Sequence, residues 1–367
     1  MLRKARKARA LPWTRWGQRT PNPTHLSHGV WGRRAPAGSK ALRFGGRAPG
    51  LLLVFLVLAC PAWADGLAFV VNSGEASISL LDVQQHRELR RIPMLREPHH
   101  MALTPDGKSL LIGDTAGNTL FFLDPHTGAV QRQVAVSDPY QLQFSPDGRW
   151  LTIAGLARNQ VDIYDAASLK LLHRIPLAAM PSHMNYAPDS GVVYVSLQES
   201  NRLAAIDTKT GTVLWNAEVG KTPAGVLWSA GRILVGIMGA DDIAVVDPAS
   251  GHVERRVQTG KGAHNLFLSP DGRTLYVCNR VDGTISLLDP RTLVVQRSFR
   301  ISGGPDDLDF APDGRIWATR RWAHSVAIID PATGQFQTVE VGRSPHGIWL
   351  NTHEAAPAAP RLTMNAP

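Results

Sequence analysis

The sequence predicts an all-β fold, a seven-bladed β-propeller of four-stranded antiparallel blades closed by a C-terminal strand in blade 1. Three observations predict it. Seven aspartates, Asp82, Asp124, Asp165, Asp207, Asp247, Asp289 and Asp330, follow one another at separations of 42, 41, 42, 40, 42 and 41 residues. A Pro-Asp-Gly step recurs in phase with them. The strand count closes when the two ends of the chain share one blade.

The first element is a leader, residues 1–64. The whole chain carries 39 Lys and Arg against 30 Asp and Glu, a formal net charge of +9. Twelve of the basic residues and none of the acidic ones fall in 1–64, which leaves a net of −3 for residues 65–367. The basic character therefore belongs to the leader, and a nucleic-acid-binding body loses its main support. Leu51 to Ala59 is a nine-residue apolar run behind Arg43 and Arg47, followed by Ala62-Trp63-Ala64. A basic flank, a short apolar stretch and small residues before the cut are the pattern of a secretory signal peptide cleaved after Ala64. The run is shorter than the roughly 20 residues that span a bilayer. We therefore expect an exported protein, periplasmic or secreted, with no transmembrane helix in the mature chain. Val57-Leu58-Ala59-Cys60 offers a lipoprotein cut at Cys60 as the minor alternative, with Leu58 fitting poorly. Residues 1–42 lack hydrophobic periodicity, and we expect the natural start to lie nearer residue 30–40.

The blades follow, over 65–352. The seven runs read SISLLD, TLFFLD, QVDIYD, RLAAID, DIAVVD, TISLLD and SVAIID, apolar stretches of strand length that end in Asp. The turns after them carry Asp-Pro-His-Thr-Gly from Asp124, Asp-Thr-Lys-Thr-Gly from Asp207 and Asp-Pro-Ala-Thr-Gly from Asp330. Asp caps such a turn with its side chain and Gly takes the position with φ > 0. Pro-Asp-Gly stands at 105–107, 146–148, 270–272 and 312–314, with Pro188-Asp189-Ser190-Gly191 as a variant, each between two short apolar strands. One period thus holds an innermost strand a, strands b and c, and an outer strand d. Blade 1 begins with strand b at Leu67 and lacks its strand a. Pro345 to Leu350 supplies it, which fastens the ring and hides the edges. Residues 353–367 are expected to form a disordered tail.

Composition agrees with this reading. At 44% hydrophobic and 19% charged the chain can bury a sizeable core. Its only cysteines, Cys60 and Cys278, exclude a thiolate zinc site and a disulfide-stapled scaffold.

Leu275-Tyr276-Val277-Cys278-Asn279 is close to a Tyr-Val-Thr-Asn signature, and Phe69-Val70-Val71-Asn72 and Val193-Tyr194-Val195-Ser196 are weaker copies. On these residues the chain resembles the YVTN-type β-propeller repeat family over about 65–350. It is similar to YncE-like exported bacterial propellers, and more distantly to the haem d1 propeller of cytochrome cd1 and to methylamine dehydrogenase heavy chains. The resemblance implies the fold and export. Its members do not share one activity, so it does not imply a reaction. Single-stranded DNA binding has been attributed to relatives of the YncE type.

A site is expected where the strands a begin, at the mouth of the central channel. Aligned on the Pro-Asp-Gly turns, one position reads His99, Tyr140, Ser182, Ala224, His264, Asp306, His346, and the next reads His100, Gln141, His183, Gly225, Asn265, Asp307, Gly347. Five of the eleven histidines of the body fall in these fourteen positions. Imidazole, carboxylate and amide groups converging there suit a ligand, a metal ion or a haem iron. They equally suit a hydrated channel. Of metal ligands, His100, His183 and His264 are the candidates, caught across blades, because the adjacent His99 and His100 should point to opposite sides of a strand. Below about pH 6.5, protonation of the five histidines would reverse the sign of this face.

The loops between strands b and c place Arg158, Arg202, Arg280, Arg320, Arg321 and Trp322 on the same rim. Arginine forks bind carboxylate or phosphate. The alternative is ion pairs with Asp241, Asp242, Asp282 or Asp307. The basic residues spread round the rim rather than along one stripe, which speaks against a nucleic-acid groove.

Motifs for a nucleophile, a phosphate loop, an H-E-x-x-H zinc site or covalent haem do not occur. No catalytic residue is assigned, and Cys278 reads as a small core residue. The expected protein is a monomeric, exported, non-catalytic propeller that binds a small molecule or a periplasmic protein on its His-rich channel face. It would be an accessory in periplasmic metabolism or redox chemistry, with no cofactor certain. The alternative is a metal- or haem-associated enzyme of the lactonase, dehydrogenase or d1-related kind. For a lactonase, Asp306, Asp307 and Asn265 are the only local ligands.

Overall fold

The computed structural model describes residues 66–351. The leader with its signal peptide, Cys60 and the 353–367 tail lie outside the described residues. Within them, 28 strands, β1 to β28 in chain order, form seven four-stranded antiparallel sheets. The predicted propeller is thus observed, with no helix among the described residues. Accordingly, none of their helices is long and apolar enough to cross a membrane.

Each sheet is one blade. The second strand of a blade is buried on both faces, as in β1 (Leu67–Asn72) and β5 (Leu110–Asp114). That burial is why these strands read as unbroken apolar runs rather than alternating ones. Outer strands such as β3 (Arg87–Pro93) and β7 (Val130–Ala135) are largely exposed, and their sequences RELRRIP and VQRQVA are polar to match. Apolar clusters lie between consecutive blades. Ala154, Val161 and Ile163 of blade 3 pack with Met184, Val195 and Ile206 of blade 4. Trp317, Val326 and Ile328 of blade 7 pack with Ala68, Val70 and Ile348 of blade 1.

The Asp turns have the predicted chemistry. The Asp124 carboxylate accepts the backbone N–H of His126 and Thr127 at 2.9 and 2.8 Å, and the Asp289 carboxylate accepts those of Arg291 and Thr292 at 2.9 and 2.8 Å. Four residues after each of the seven aspartates φ is positive. Gly128, Gly211, Gly251 and Gly334 occupy that place in four turns, and His86, Leu169 and Leu293 occupy it in the other three.

The innermost strands are β4 (Pro98–Leu103), β8 (Gln141–Phe144), β12 (Pro181–Tyr186), β16 (Pro223–Ser229), β20 (Ala263–Leu268), β24 (Pro305–Phe310) and β28 (Pro345–Asn351). Proline opens five of them. It is tolerated there because the first residue of an edge strand need not donate to a ladder. In β4, β12, β16, β20 and β24 the register with the second strand slips between the first residue and the fourth, as between Pro98 and Met101. The two residues inside that slip are the aligned pair of each blade, polar in β4, β12, β20 and β24 and Ala224-Gly225 in β16. Ring closure follows the expected route, with β28 pairing β1 through Ala68↔Leu350 and Val70↔Ile348.

Two outcomes follow from this architecture. A chain ending at residue 343 lacks β28 and leaves β1 as an open edge, so it is expected to lose cooperative thermal unfolding, as read by circular dichroism. Gly334 has φ +75°, and a Cβ there would stand 2.6 Å from the Phe299 ring. Gly334→Ala should cost about 1–2 kcal/mol, measured as a lower denaturant midpoint at unchanged slope.

Candidate functional site

The slipped register at the start of β4 lets both residues of its pair, His99 and His100, reach the same neighbours, Tyr140 and His346. His99 and His100 on β4 therefore face the same region, with ring centroids 5.1 Å apart. This corrects the expectation that strand alternation would send them to opposite sides, because alternation holds only where the ladder is regular. Backbone amides freed by the slip find side chains of the second strand. The His183 N–H donates to Ser196 Oγ at 3.2 Å, and the Asp307 N–H to Thr319 Oγ1 at 3.0 Å.

The structure brings most of the predicted ring together. His99 lies 4.0 Å from both Tyr140 and His346, centroid to centroid. His100 lies 4.6 Å from His346 and 5.3 Å from His183, and His183 lies 5.0 Å from His264. All five histidines are buried, with exposures of 1–5%. Among the described residues, Nδ1 of His99, Nε2 of His100, Nε2 of His183 and both nitrogens of His346 have no hydrogen-bond partner.

Asp306 on β24 is the single fully buried carboxylate that anchors the ring electrostatically. Arg280 Nη2 pairs with its Oδ1, and Arg321 Nη1 pairs with its Oδ2 at 3.1 Å. Arg280 Nη2 also donates to His264 Nε2 at 2.6 Å. A guanidinium only donates, so His264 Nε2 is the acceptor and its proton sits on Nδ1. That Nδ1 faces Asp306, 3.3 Å from its Oδ1 and from its backbone carbonyl. His346 Nδ1 lies 3.2 Å from Asp306 Oδ2 without the alignment of a hydrogen bond.

Electrostatics here run against the exposed-mouth expectation. Burial drives the imidazoles of His99, His183 and His346 well below the usual histidine range, and those of His100 and His264 down to about 3. The ring stays neutral below pH 6.5, and its protonation does not reverse the sign of the face. Burial would raise Asp306, but Arg280, His264 and Arg321 outweigh it and hold the carboxyl down at about 2. Asp307 goes the other way, since burial and the neighbouring Asp306 push it well above the carboxylate range. Tyr140 is pushed up to about 12, chiefly by burial.

Several predicted residues are placed elsewhere. Gln141 is committed between blades, where its Oε1 accepts the Met184 N–H at 2.5 Å. Asn265 caps its own strand through Leu266 and reaches Asp307 Oδ1 at 3.4 Å. Of the rim, Arg202 binds Asn216 within its own blade, and Arg320 donates to the Ser302 carbonyl. Arg158 contributes its backbone amide to Asp138 Oδ2 at 2.7 Å. Trp322 is 56% exposed. Ion pairs do form, but Asp241 and Asp282 accept backbone amides, Asp242 pairs with Arg256, and the shared partner of the rim arginines is Asp306. Sequence reasoning missed that Arg280 and Arg321 belong to the channel. The available signal was that Arg280 follows the second strand of the blade before Asp306 and Arg321 follows the second strand of Asp306's own blade.

With this geometry described, comparison with known proteins places the chain. The YNCE-like beta-propeller model matches residues 49–358. The chain belongs to the YNCE-like beta-propeller family. Its members' fold recurs in solved structures at low identity. A functionally unknown protein from Desulfotomaculum acetoxidans DSM 771 matches with TM-score 0.67 at 14% identity, over 77% of this chain and 98% of that one. The periplasmic gluconolactonase PpgL of Pseudomonas aeruginosa matches with TM-score 0.64 at 19% identity, over 78% and 98%. The dihydro-heme d1 dehydrogenase NirN, in complex with DHE, matches with TM-score 0.60 at 16% identity, over 79% and 76%. These likenesses concern the fold. Comparison with curated proteins finds none that matches.

The pH dependence of stability follows from the site. His264 binds a proton near pH 6.5 when unfolded but only near pH 3 when folded, and Asp306 does so near 3.8 unfolded and about 2 folded. In both cases the unfolded chain takes up protons first, so stability is full above the unfolded value and falls with pH. Denaturation midpoints should drop from about pH 6.5 downward and more steeply below about pH 4. Asp306→Asn leaves the half-buried guanidiniums of Arg280 and Arg321 without their shared partner and should cost about 2–4 kcal/mol at pH 7, with a flatter acid limb in the same measurement.

Proposed function

We propose that the protein is an exported, non-catalytic propeller that binds a ligand within the channel, on its buried histidine ring. It serves as an accessory in periplasmic metabolism or redox chemistry. The observation that carries this reading is the set of buried imidazole nitrogens without partners at one point on the axis. Buried polar atoms are ordinarily hydrogen-bonded, so several orphaned together mark groups that a ligand completes.

Binding fits these residues better than acid–base catalysis. A general base works best with a pKa near the operating pH. His100 and His264, held near 3, are weak bases at neutral pH. A carboxylate-held metal for lactone hydrolysis fits poorly too, since Asp306 is already neutralised by two arginines and Asp307 is pushed toward its protonated form. Cys278 is buried and its thiol is pushed up, which removes it as a nucleophile.

The experiment is native mass spectrometry of the protein purified gently from its own host, beside 1H–15N spectra of the imidazoles. A bound species should leave on denaturation, and its removal should move the His99, His183 and His264 resonances. The His99→Ala/His346→Ala variant should carry it at a level at least ten-fold lower. Imidazole spectra identical with and without the co-purified species would overturn the reading.

A further inference from the structure

We propose that His99, His100 and His346 form a binding site for a single monovalent copper ion, the ligand of the channel. The inference rests on the ligand-binding reading above and gives that ligand a chemical class.

Geometry is the first support. One donor nitrogen from each of the three residues lies within 4.8 Å of the other two, and all three side chains are buried. His99 and His100 come from blade 2 through the slipped register of β4, and His346 comes from blade 1 on the closing strand β28. This trio replaces the His100, His183 and His264 set expected from sequence. An ion at about 2.0–2.1 Å from each nitrogen needs donors about 3.3–3.5 Å apart. The rings must therefore draw together by about an ångström, a movement within reach of side-chain torsions.

The second support is independent of that spacing. His99 Nδ1, His100 Nε2 and both nitrogens of His346 have no hydrogen-bond partner among the described residues. Each residue is at least 95% buried. A donor set with lone pairs already desolvated and not spent on hydrogen bonds is prepared for a metal. Asp306 stands behind His346, 3.2 Å from Nδ1. The two are not aligned for a hydrogen bond here; brought into line as the ring turns toward an ion, that carboxylate would hold a proton on Nδ1 and leave Nε2 to bind, as carboxylates behind metal-bound imidazoles do.

Charge selects the ion. Imidazole nitrogen suits copper, zinc and nickel, and the trio contains neither thiolate nor carboxylate. The one ionised carboxylate at hand, Asp306, is already outnumbered by Arg280 and Arg321. Nothing buried at the trio compensates a cation, so every added positive charge counts against binding. The Born cost of a buried ion rises with the square of its charge, so a divalent ion is penalised about four-fold more than a monovalent one. Neutral nitrogen donors and low charge together point to Cu(I).

The test is an anaerobic titration of the purified full chain with Cu(I), in competition with bathocuproine disulfonate. One Cu(I) per chain is expected, and His346→Gln and His99→Ala should each weaken it at least ten-fold. His173→Ala, on an outer strand, should leave it unchanged. X-ray absorption on the loaded wild-type protein needs no variant to fold, and should show nitrogen neighbours alone at about 2.0 Å. Three results would each overturn the proposal: no retention of Cu(I), tighter retention of Zn(II), or sulfur among the neighbours. If Cu(I) fails while a co-purified species still shifts the imidazole resonances, copper is refuted and the ligand-binding reading stands. If both measurements are silent, both fall.

Discussion

The pairing of β28 with β1 is the contact on which the rest of the molecule depends. Without it seven blades form an arc. With it they form a ring, and the starts of all innermost strands are forced onto one axis. The closing strand brings more than hydrogen bonds. Ile348 and Leu350 join the apolar cluster between blades 7 and 1, and His346 arrives beside His99 and His100. The same strand therefore fixes the fold and completes the candidate site, so the site exists only in the closed ring.

Convergence creates an electrostatic problem, because the polar ends of the innermost strands are pressed together away from water. The ring resolves it in two ways. One carboxylate, Asp306, is ionised and held between Arg280 and Arg321 from the loops of blades 6 and 7. The imidazoles remain neutral and make ring contacts across blades. Between blades, side chains of the same strands are used as fasteners. Gln141 accepts the Met184 amide, Asn185 accepts the Trp228 amide at 3.1 Å, and Asp309 accepts the Leu350 amide at 2.8 Å. Each fastener satisfies a backbone group on the next blade's innermost strand.

The blades were legible in the sequence because each is punctuated by local chemistry. An Asp turn and a Pro-Asp-Gly turn do not depend on the rest of the fold. Turn glycines at 128, 211 and 334 were readable for the same reason. His86, Leu169 and Leu293 take the same positive φ but were not, since nothing in their side chains asks for it. The place of the site was legible through alignment on those turns. Its internal geometry was not. The register slip that turns His99 and His100 to one side arises from pairing with β5, and burial of the ring arises from seven strands meeting. Neither is a property of a single blade. Arg280 and Arg321 looked like rim residues because a loop position does not tell which way a long side chain folds.

Blade 5 shows that the fold does not require this polarity. At the two aligned positions it carries Ala224 and Gly225, and Ala224 is fully buried without any polar partner. A ring built from such residues would close as well, and would avoid the cost of desolvating imidazole nitrogens that receive no hydrogen bond. Replacing buried polar clusters by well-packed apolar groups is often neutral or stabilising. The histidines of blades 1, 2, 4 and 6 thus stand where a cheaper solution is available within the same chain. The orphaned nitrogens of His99, His100, His183 and His346 are a cost carried by the folded state, and a ligand that engages them would remove that cost. Closure of the propeller does not by itself account for the ring.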